Sequence, residues 1–231
     1  MYLRWRRAMS PSIEIIPVEL PGRGARVAEE PVVDFNALVA DLCDEQADVL
    51  GRRPALFGHS MGALLAYGIA LRQRALGRPQ PRMLFVSGSA APRHREHRLL
   101  ATRPDDAALI DDLRRQGGTP EAVLENAELL RLTLDTLRAD YRVCDSYVWW
   151  REAPLDLPVC ALGGRADTVD TEALMAWRSE TTQGFSLHWF EGGHFFVKQD
   201  EQAVLRTLER ELASTARHGP FADDHAPARV A

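Results

Sequence analysis

An α/β architecture with a mostly parallel central sheet and helices on both faces is predicted by three observations. Short β-branched or apolar runs alternate with longer segments of helical periodicity. The runs at 55–57, 83–86 and 159–162 are apolar throughout, as strands buried on both faces are. The chain has 231 residues, 45% of them hydrophobic and 26% charged, enough for one well-buried core.

Ser12 to Val18 reads as the first strand, ended by the turn Pro21-Gly22-Arg23-Gly24. Asp34 can cap a helix that turns Leu38, Val39, Leu42 and Val49 towards the core. Gly51 to Pro54 breaks it, Ala55-Leu56-Phe57 forms a strand, and a helix of small residues runs from about Ala63 to Leu76. Met83 to Ser87 is the next strand. From Arg93 to about Trp150 the chain reads as helical and charged. There Leu130, Leu134, Leu137 and Tyr141 share one helix face, and Thr119-Pro120 looks like an N-cap followed by a first-turn proline. Strands resume at Val159 to Leu162 and at Phe185 to Phe190. A last helix carries Val204, Leu205, Leu208 and Leu212. The expected division is a core of 1–92 and 154–212, an inserted helical cap of 93–153 over the carboxyl edge of the sheet, and a disordered tail of 213–231.

The formal net charge is −5, which argues against a nucleic-acid partner. No run approaches the roughly 18 apolar residues of a membrane span, and no secretory signal opens the chain. A cytoplasmic protein is therefore expected. Cys43, Cys144 and Cys160 have neither metal-ligand nor redox spacing, so no metal and no cofactor is expected.

Gly58-His59-Ser60-Met61-Gly62 is a G-x-S-x-G pentapeptide between a strand and a small-residue helix. That setting makes it a nucleophile elbow, in which Ser60 sits on a strained turn and the free N–H of Met61 can stabilise an oxyanion. Side chains at 58 and 62 are expected to collide with neighbouring elements. A serine nucleophile needs a base, and the base an orienting acid. Strand 159–162 leads to Asp167 and strand 185–190 leads to His194, each on a loop at a strand end. The order Ser, Asp, His is that of α/β hydrolases. With 107 residues from serine to acid and 27 from acid to base, a cap fits in the first interval and one helix in the second. Asp170 is the rival acid. His59, inside the elbow, and His188, within a strand, read as structural.

Together, Pro21-Gly22-Arg23-Gly24, Gly58-His59-Ser60-Met61-Gly62, Leu137-Arg138-Ala139-Asp140-Tyr141, Leu162-Gly163-Gly164-Arg165-Ala166-Asp167 and Gly192-Gly193-His194-Phe195-Phe196 resemble the motif set of type II thioesterases. These are the stand-alone editing hydrolases of polyketide and nonribosomal peptide antibiotic biosynthesis. The likeness runs from about residue 2 to residue 212. It implies the α/β-hydrolase fold, a Ser60–His194–Asp167 triad, and hydrolysis of an acyl thioester held on the phosphopantetheine arm of an acyl or peptidyl carrier protein. It further implies that the cap forms the acyl pocket, with Leu137, Tyr141, Trp149 and Trp150 as its lining, in a protein expected to be monomeric. The same residues would equally serve a general carboxylester hydrolase. The family begins with a further strand and a Pro-His-Ala-Gly-Gly-like loop, whereas Tyr2-Leu3-Arg4-Trp5 resembles the helix after that loop. The chain as given is expected to lack both, and with them one oxyanion donor, which leaves a non-catalytic homologue as a third reading. Arg93, Arg95 and Arg98 form a local basic cluster that could meet an acidic carrier protein.

Overall fold

The computed structural model describes residues 2–94, 105–150, 152–218 and 228–230. Its centre is a six-stranded sheet made of β1 (Ile13–Ile15), β2 (Ala55–His59), β3 (Met83–Ser87), β4 (Val159–Gly164), β5 (Phe185–Phe190) and β6 (Ala228–Val230). The strand order is β1-β6-β2-β3-β4-β5, and every neighbouring pair is parallel.

Because side chains alternate along a strand, each face of the sheet collects its own core. Leu56, Leu84, Val86, Val159 and Ala161 point to the face covered by α2 (Phe35–Glu45) and α4 (Met61–Ala75). Ala55, Met83, Phe85, Cys160 and Leu162 point to the other face, under α1 (Tyr2–Ala8), α9 (Phe196–Gln199) and α10 (Glu201–His218). Trp5 of α1 is buried there, its ring 5.1 Å from that of Phe57.

Several boundaries move, each for a local reason. The first strand stops at Ile15 because Pro17 cannot donate to a ladder. Asp34 caps α2 as expected, accepting from the Ala37 N–H at 2.8 Å. The helix then breaks at Gln46 into α3 (Ala47–Leu50), which buries Leu50. Pro120, not Thr119, occupies the cap position of α6 (Glu121–Leu124).

Between β3 and β4 lie α5 (Asp106–Gln116), α6 and α7 (Ala127–Ser146), within the 93–153 interval. Leu109, Leu113, Leu124 and Leu134 form a small core of their own, with Leu130, Leu137 and Tyr141 packed against it. The predicted face of α7 therefore holds these helices together. Further along α7, Val143 and the following Tyr147 join the main core.

The tail differs from the expectation. No breaker precedes Gly219-Pro220, so α10 continues through 213–218. Residues 228–230 add β6 between β1 and β2, where backbone groups along the two strand edges require partners. Residues 219–227 of the expected tail, and Arg95 and Arg98 of the basic cluster, lie outside the described residues. Among the described residues no helix is long and apolar enough to cross a membrane.

Candidate active site

β2 delivers the chain into the elbow. Ser60 sits at φ 56°, ψ −118°, a sparsely populated region for any side-chain-bearing residue. The Ser60 N–H donates to the Ser87 carbonyl at 2.8 Å, and the Ser60 carbonyl accepts from the Ala63 N–H at 3.1 Å, so the strained turn is pinned from both sides. Met61 opens α4, and the first N–H of a helix has no intrahelical acceptor, leaving it free for an incoming oxyanion. The two glycines of the pentapeptide prove unequal. A Cβ at Gly58 would stand 1.9 Å from the Gly62 carbonyl oxygen and 2.4 Å from the Ala63 nitrogen. A Cβ at Gly62 would meet nothing within 4 Å, which corrects the expected collision there.

The loops that follow β4 and β5 meet each other. The Ala166 N–H donates to the Gly192 carbonyl at 2.9 Å, and the Arg165 N–H to the Phe190 carbonyl at 3.0 Å. Gly164 makes the approach possible, because a Cβ there would lie 2.4 Å from the Gly193 carbonyl oxygen. The result brings together three side chains from distant parts of the sequence. His194 Nε2 is 3.0 Å from Ser60 Oγ, and His194 Nδ1 is 3.0 and 3.2 Å from the two Asp167 carboxylate oxygens. The Asp167 side chain is 1% exposed and that of His194 13%. Burial alone would raise the Asp167 carboxyl. The hydrogen bond and charge of His194, with the Thr168 and Val169 N–H groups, outweigh it and hold the group below the usual carboxylate range. The rival Asp170 is engaged elsewhere, capping α8 (Thr171–Met175) by accepting from the Ala173 N–H at 2.8 Å.

His59 packs beside the triad. Its Nδ1 is 3.0 Å from Ser87 Oγ, and its buried Nε2 has no partner among the described residues. Burial first, then the neighbouring His194, pushes its ring down to about 3. It is neutral at every working pH.

A cavity of about 530 Å³ opens from Ser60 and His194 towards α5 and α7. Tyr141 and Trp149 line it. The other two expected lining residues do not. Leu137 packs into the small core between α5 and α7, because its position one turn before Tyr141 faces α5. Trp150 follows the end of α7 and is 64% exposed.

Sequence reasoning missed the polar wall of this cavity. Asp112 is buried on α5 and accepts hydrogen bonds from Tyr141 Oη, from the Arg115 guanidinium, and from Gln116 Nε2 at 2.7 Å. An acid embedded in the apolar stripe between Leu109 and Leu113 was the available signal. Two of the family-like motifs also find a physical role. Arg23, of the turn before α2, makes a two-pronged ion pair with Asp140 of α7, both side chains less than one-third exposed. The pair fastens the inserted helices to the core.

A hydroxyl held by an imidazole that is itself held by a buried carboxylate can attack an electrophilic carbonyl carbon and resolve the product through water. Known proteins carry the same arrangement of sequence. Residues 1–212 match the thioesterase domain family. The gramicidin S biosynthesis protein GrsT of Aneurinibacillus migulanus is 34% identical over 216 residues, covering 91% of this chain and 83% of that one. Among solved structures, the RedJ thioesterase of the prodiginine pathway in Streptomyces coelicolor superposes with a TM-score of 0.84 at 38% identity, covering 90% of this chain and 83% of that one. The type II thioesterase BorB of the borrelidin cluster gives a TM-score of 0.81 at 33% identity over 91% and 86% of the two chains.

Proposed function

The chain belongs to the thioesterase family, and from that premise we propose that it is an editing thioesterase acting on acyl groups carried by the phosphopantetheine arm of an acyl or peptidyl carrier protein. Its similarity to type II thioesterases, among them BorB of the borrelidin cluster and YbtT of the yersiniabactin nonribosomal peptide/polyketide pathway, supports the substrate class. The observation that carries the chemistry is the continuous hydrogen-bonded line Ser60–His194–Asp167 at the mouth of the cavity.

In this reading His194 Nε2 takes the Ser60 proton as Ser60 Oγ bonds to the thioester carbonyl carbon. The carbonyl oxygen becomes an oxyanion facing the Met61 N–H. As the tetrahedral intermediate collapses, the carbon–sulfur bond breaks and the pantetheine sulfur leaves with the proton from His194. Water, deprotonated by the same imidazole, then attacks the acyl-serine, and the free acid departs as Ser60 regains its proton. Asp167 fixes the imidazole so that Nε2 faces the serine, and stabilises the imidazolium formed in both halves. The helices inserted at 93–153 act as the cap over this site, with Tyr141 and Trp149 along the acyl chain's path.

Acyl-pantetheine thioesters and nitrophenyl esters of equal chain length, compared by kcat/KM, test the reading. Preference for the thioester, increased when the pantetheine is carried on a carrier protein, is the expected result. Equal or better turnover of the oxygen ester, indifferent to the carrier, would instead make the protein a general carboxylester hydrolase.

A further inference from the structure

β4 and β5 pair so that Cys160 lies beside Ser186 and Leu162 beside His188. Alternation along the strands turns Cys160, Ser186 and His188 to the same face, the one that α10 covers. Glu211 reaches down from α10 to meet them. Its carboxylate accepts from Ser186 Oγ at 3.1 Å, and its other oxygen is 2.9 Å from His188 Nε2. The Cys160 sulfur, a His188 ring nitrogen and a Glu211 oxygen all lie within 4.8 Å of one another, with no triad residue among them. We propose that Cys160, His188 and Glu211 form a binding site for Zn²⁺, joining two strands and the helix that covers them.

The donor set selects the ion. Sulfur and imidazole nitrogen are poor ligands for Mg²⁺ and Ca²⁺, which take oxygen, and good ones for zinc. A thiolate and a carboxylate together carry two negative charges, which a dication neutralises. Tetrahedral zinc, with bonds of about 2.3 Å to sulfur and about 2.0–2.2 Å to nitrogen and oxygen, sets its ligand atoms roughly 3.3–3.7 Å apart. From the 2.9 Å separation of His188 and Glu211 the pair needs to open by a few tenths of an ångström, and Cys160, within 4.8 Å of both, needs to close by up to about an ångström. Both moving side chains are at an edge. β5 is the last strand of the sheet, and the side chains of His188 and Glu211 are 26% and 18% exposed whereas Cys160 is fully buried. An ion therefore enters from the solvent side and reaches the sulfur last, and water can fill the fourth position. Ser186 supports the site from behind by holding the free oxygen of Glu211, the arrangement that orients carboxylate ligands in metal centres.

Burial pushes the Cys160 thiol up to about 12, so without the ion the sulfur keeps its proton. Coordination breaks the S–H bond, forms the S–Zn bond and releases that proton to solvent, with no change of oxidation state. The amino-acid spacing gives no sign of this site, because its ligands come from two non-consecutive positions of adjacent strands and a helix some twenty residues further on.

The test uses Co²⁺ as the spectroscopic probe on the full 231-residue chain. One equivalent should produce a thiolate-to-cobalt charge-transfer band, and Zn²⁺ should abolish it by displacement. His188→Gln and Glu211→Gln should each weaken cobalt binding at least tenfold, and Cys160→Ser should remove the band. Cys144→Ser and His194→Ala should leave it intact. If Cys160→Ser does not fold by circular dichroism, the two edge variants decide the question. Absence of the band at millimolar cobalt, undiminished cobalt affinity in His188→Gln and Glu211→Gln, or loss of the band in Cys144→Ser would each overturn the site.

Discussion

The imidazole of His59 lies against that of His194, with ring centroids 5.0 Å apart and planes tilted by 45°. Two adjacent imidazoles cannot both carry charge cheaply. His59 is walled in, bonded to Ser87 Oγ and neutral, so the proton taken from the nucleophile has one place to go. The neighbour that ends the elbow strand thus leaves the base as the group that becomes the cation.

Neutral burial of His59 couples folding to pH. The unfolded ring takes a proton near pH 6.5 and the folded one only near 3, so between these values the unfolded state binds more protons. Stability from this group is complete above about pH 6.5 and is lost as pH falls towards 3, at up to roughly 1.4 kcal/mol per pH unit. Urea denaturation between pH 6.5 and 4.5, above the range where carboxylates dominate, should show this slope. His59→Asn should flatten it, and parallel slopes for the two proteins would refute the coupling.

Removing either end of the triad should stop turnover without unfolding the chain. Ser60→Ala deletes one partly exposed hydroxyl and should lower kcat by at least about 10³-fold with Tm unchanged. Asp167→Asn keeps the volume but frees the imidazole to adopt the wrong tautomer, with an expected loss of about 10²–10⁴ in kcat. Hydrolysis by Ser60→Ala within tenfold of the parent would remove the serine from the mechanism.

The unequal glycines of the elbow give a paired measurement. Gly58→Ala drives a Cβ into backbone atoms at 1.9–2.4 Å, which cannot move without displacing Ser60. A loss of about 2–4 kcal/mol or failure to fold is expected. Gly62→Ala enters open space on α4 and should be tolerated, gaining up to about 1 kcal/mol from helix propensity. Equal thermal shifts for the two would contradict the geometry of the turn.

The Arg23–Asp140 pair crosses from the core to the inserted helices, and both partners are partly shielded from water. A double-mutant cycle with Arg23→Met and Asp140→Asn should give a coupling energy of about 1–2 kcal/mol in urea denaturation, above the usual surface pair. Each single variant should also raise KM more than it lowers kcat, since the pair sets the cap and does not touch the reacting atoms. Additive single effects would mean that the two motifs are not energetically linked.

Much of the protein is set by the sequence acting locally. The parallel sheet is written in apolar runs that match strands buried on both faces. The capped start of α2 follows from Asp34, and the strained serine turn from Gly58 between a strand and a helix. Even the order of Ser60, Asp167 and His194 along the chain is enough to nominate them, because each closes a strand whose end faces the same edge. What lies across elements was not legible. Whether Leu137 or Tyr141 faced the cavity turned on the packing of α7 against α5, and one turn of helix separates the two outcomes. The burial of Asp112 beside Tyr141 and Gln116 depends on how α5 packs against α7. The placing of 228–230 between β1 and β2 depends on hydrogen-bonding groups along two strand edges. The Cys160–His188–Glu211 cluster depends on the register of β4 with β5. Local sequence fixes backbone conformation because neighbouring residues decide φ and ψ. Side chains more than a hundred residues apart, such as Ser60 and His194, meet only because burying both faces of the sheet leaves one arrangement of its loops.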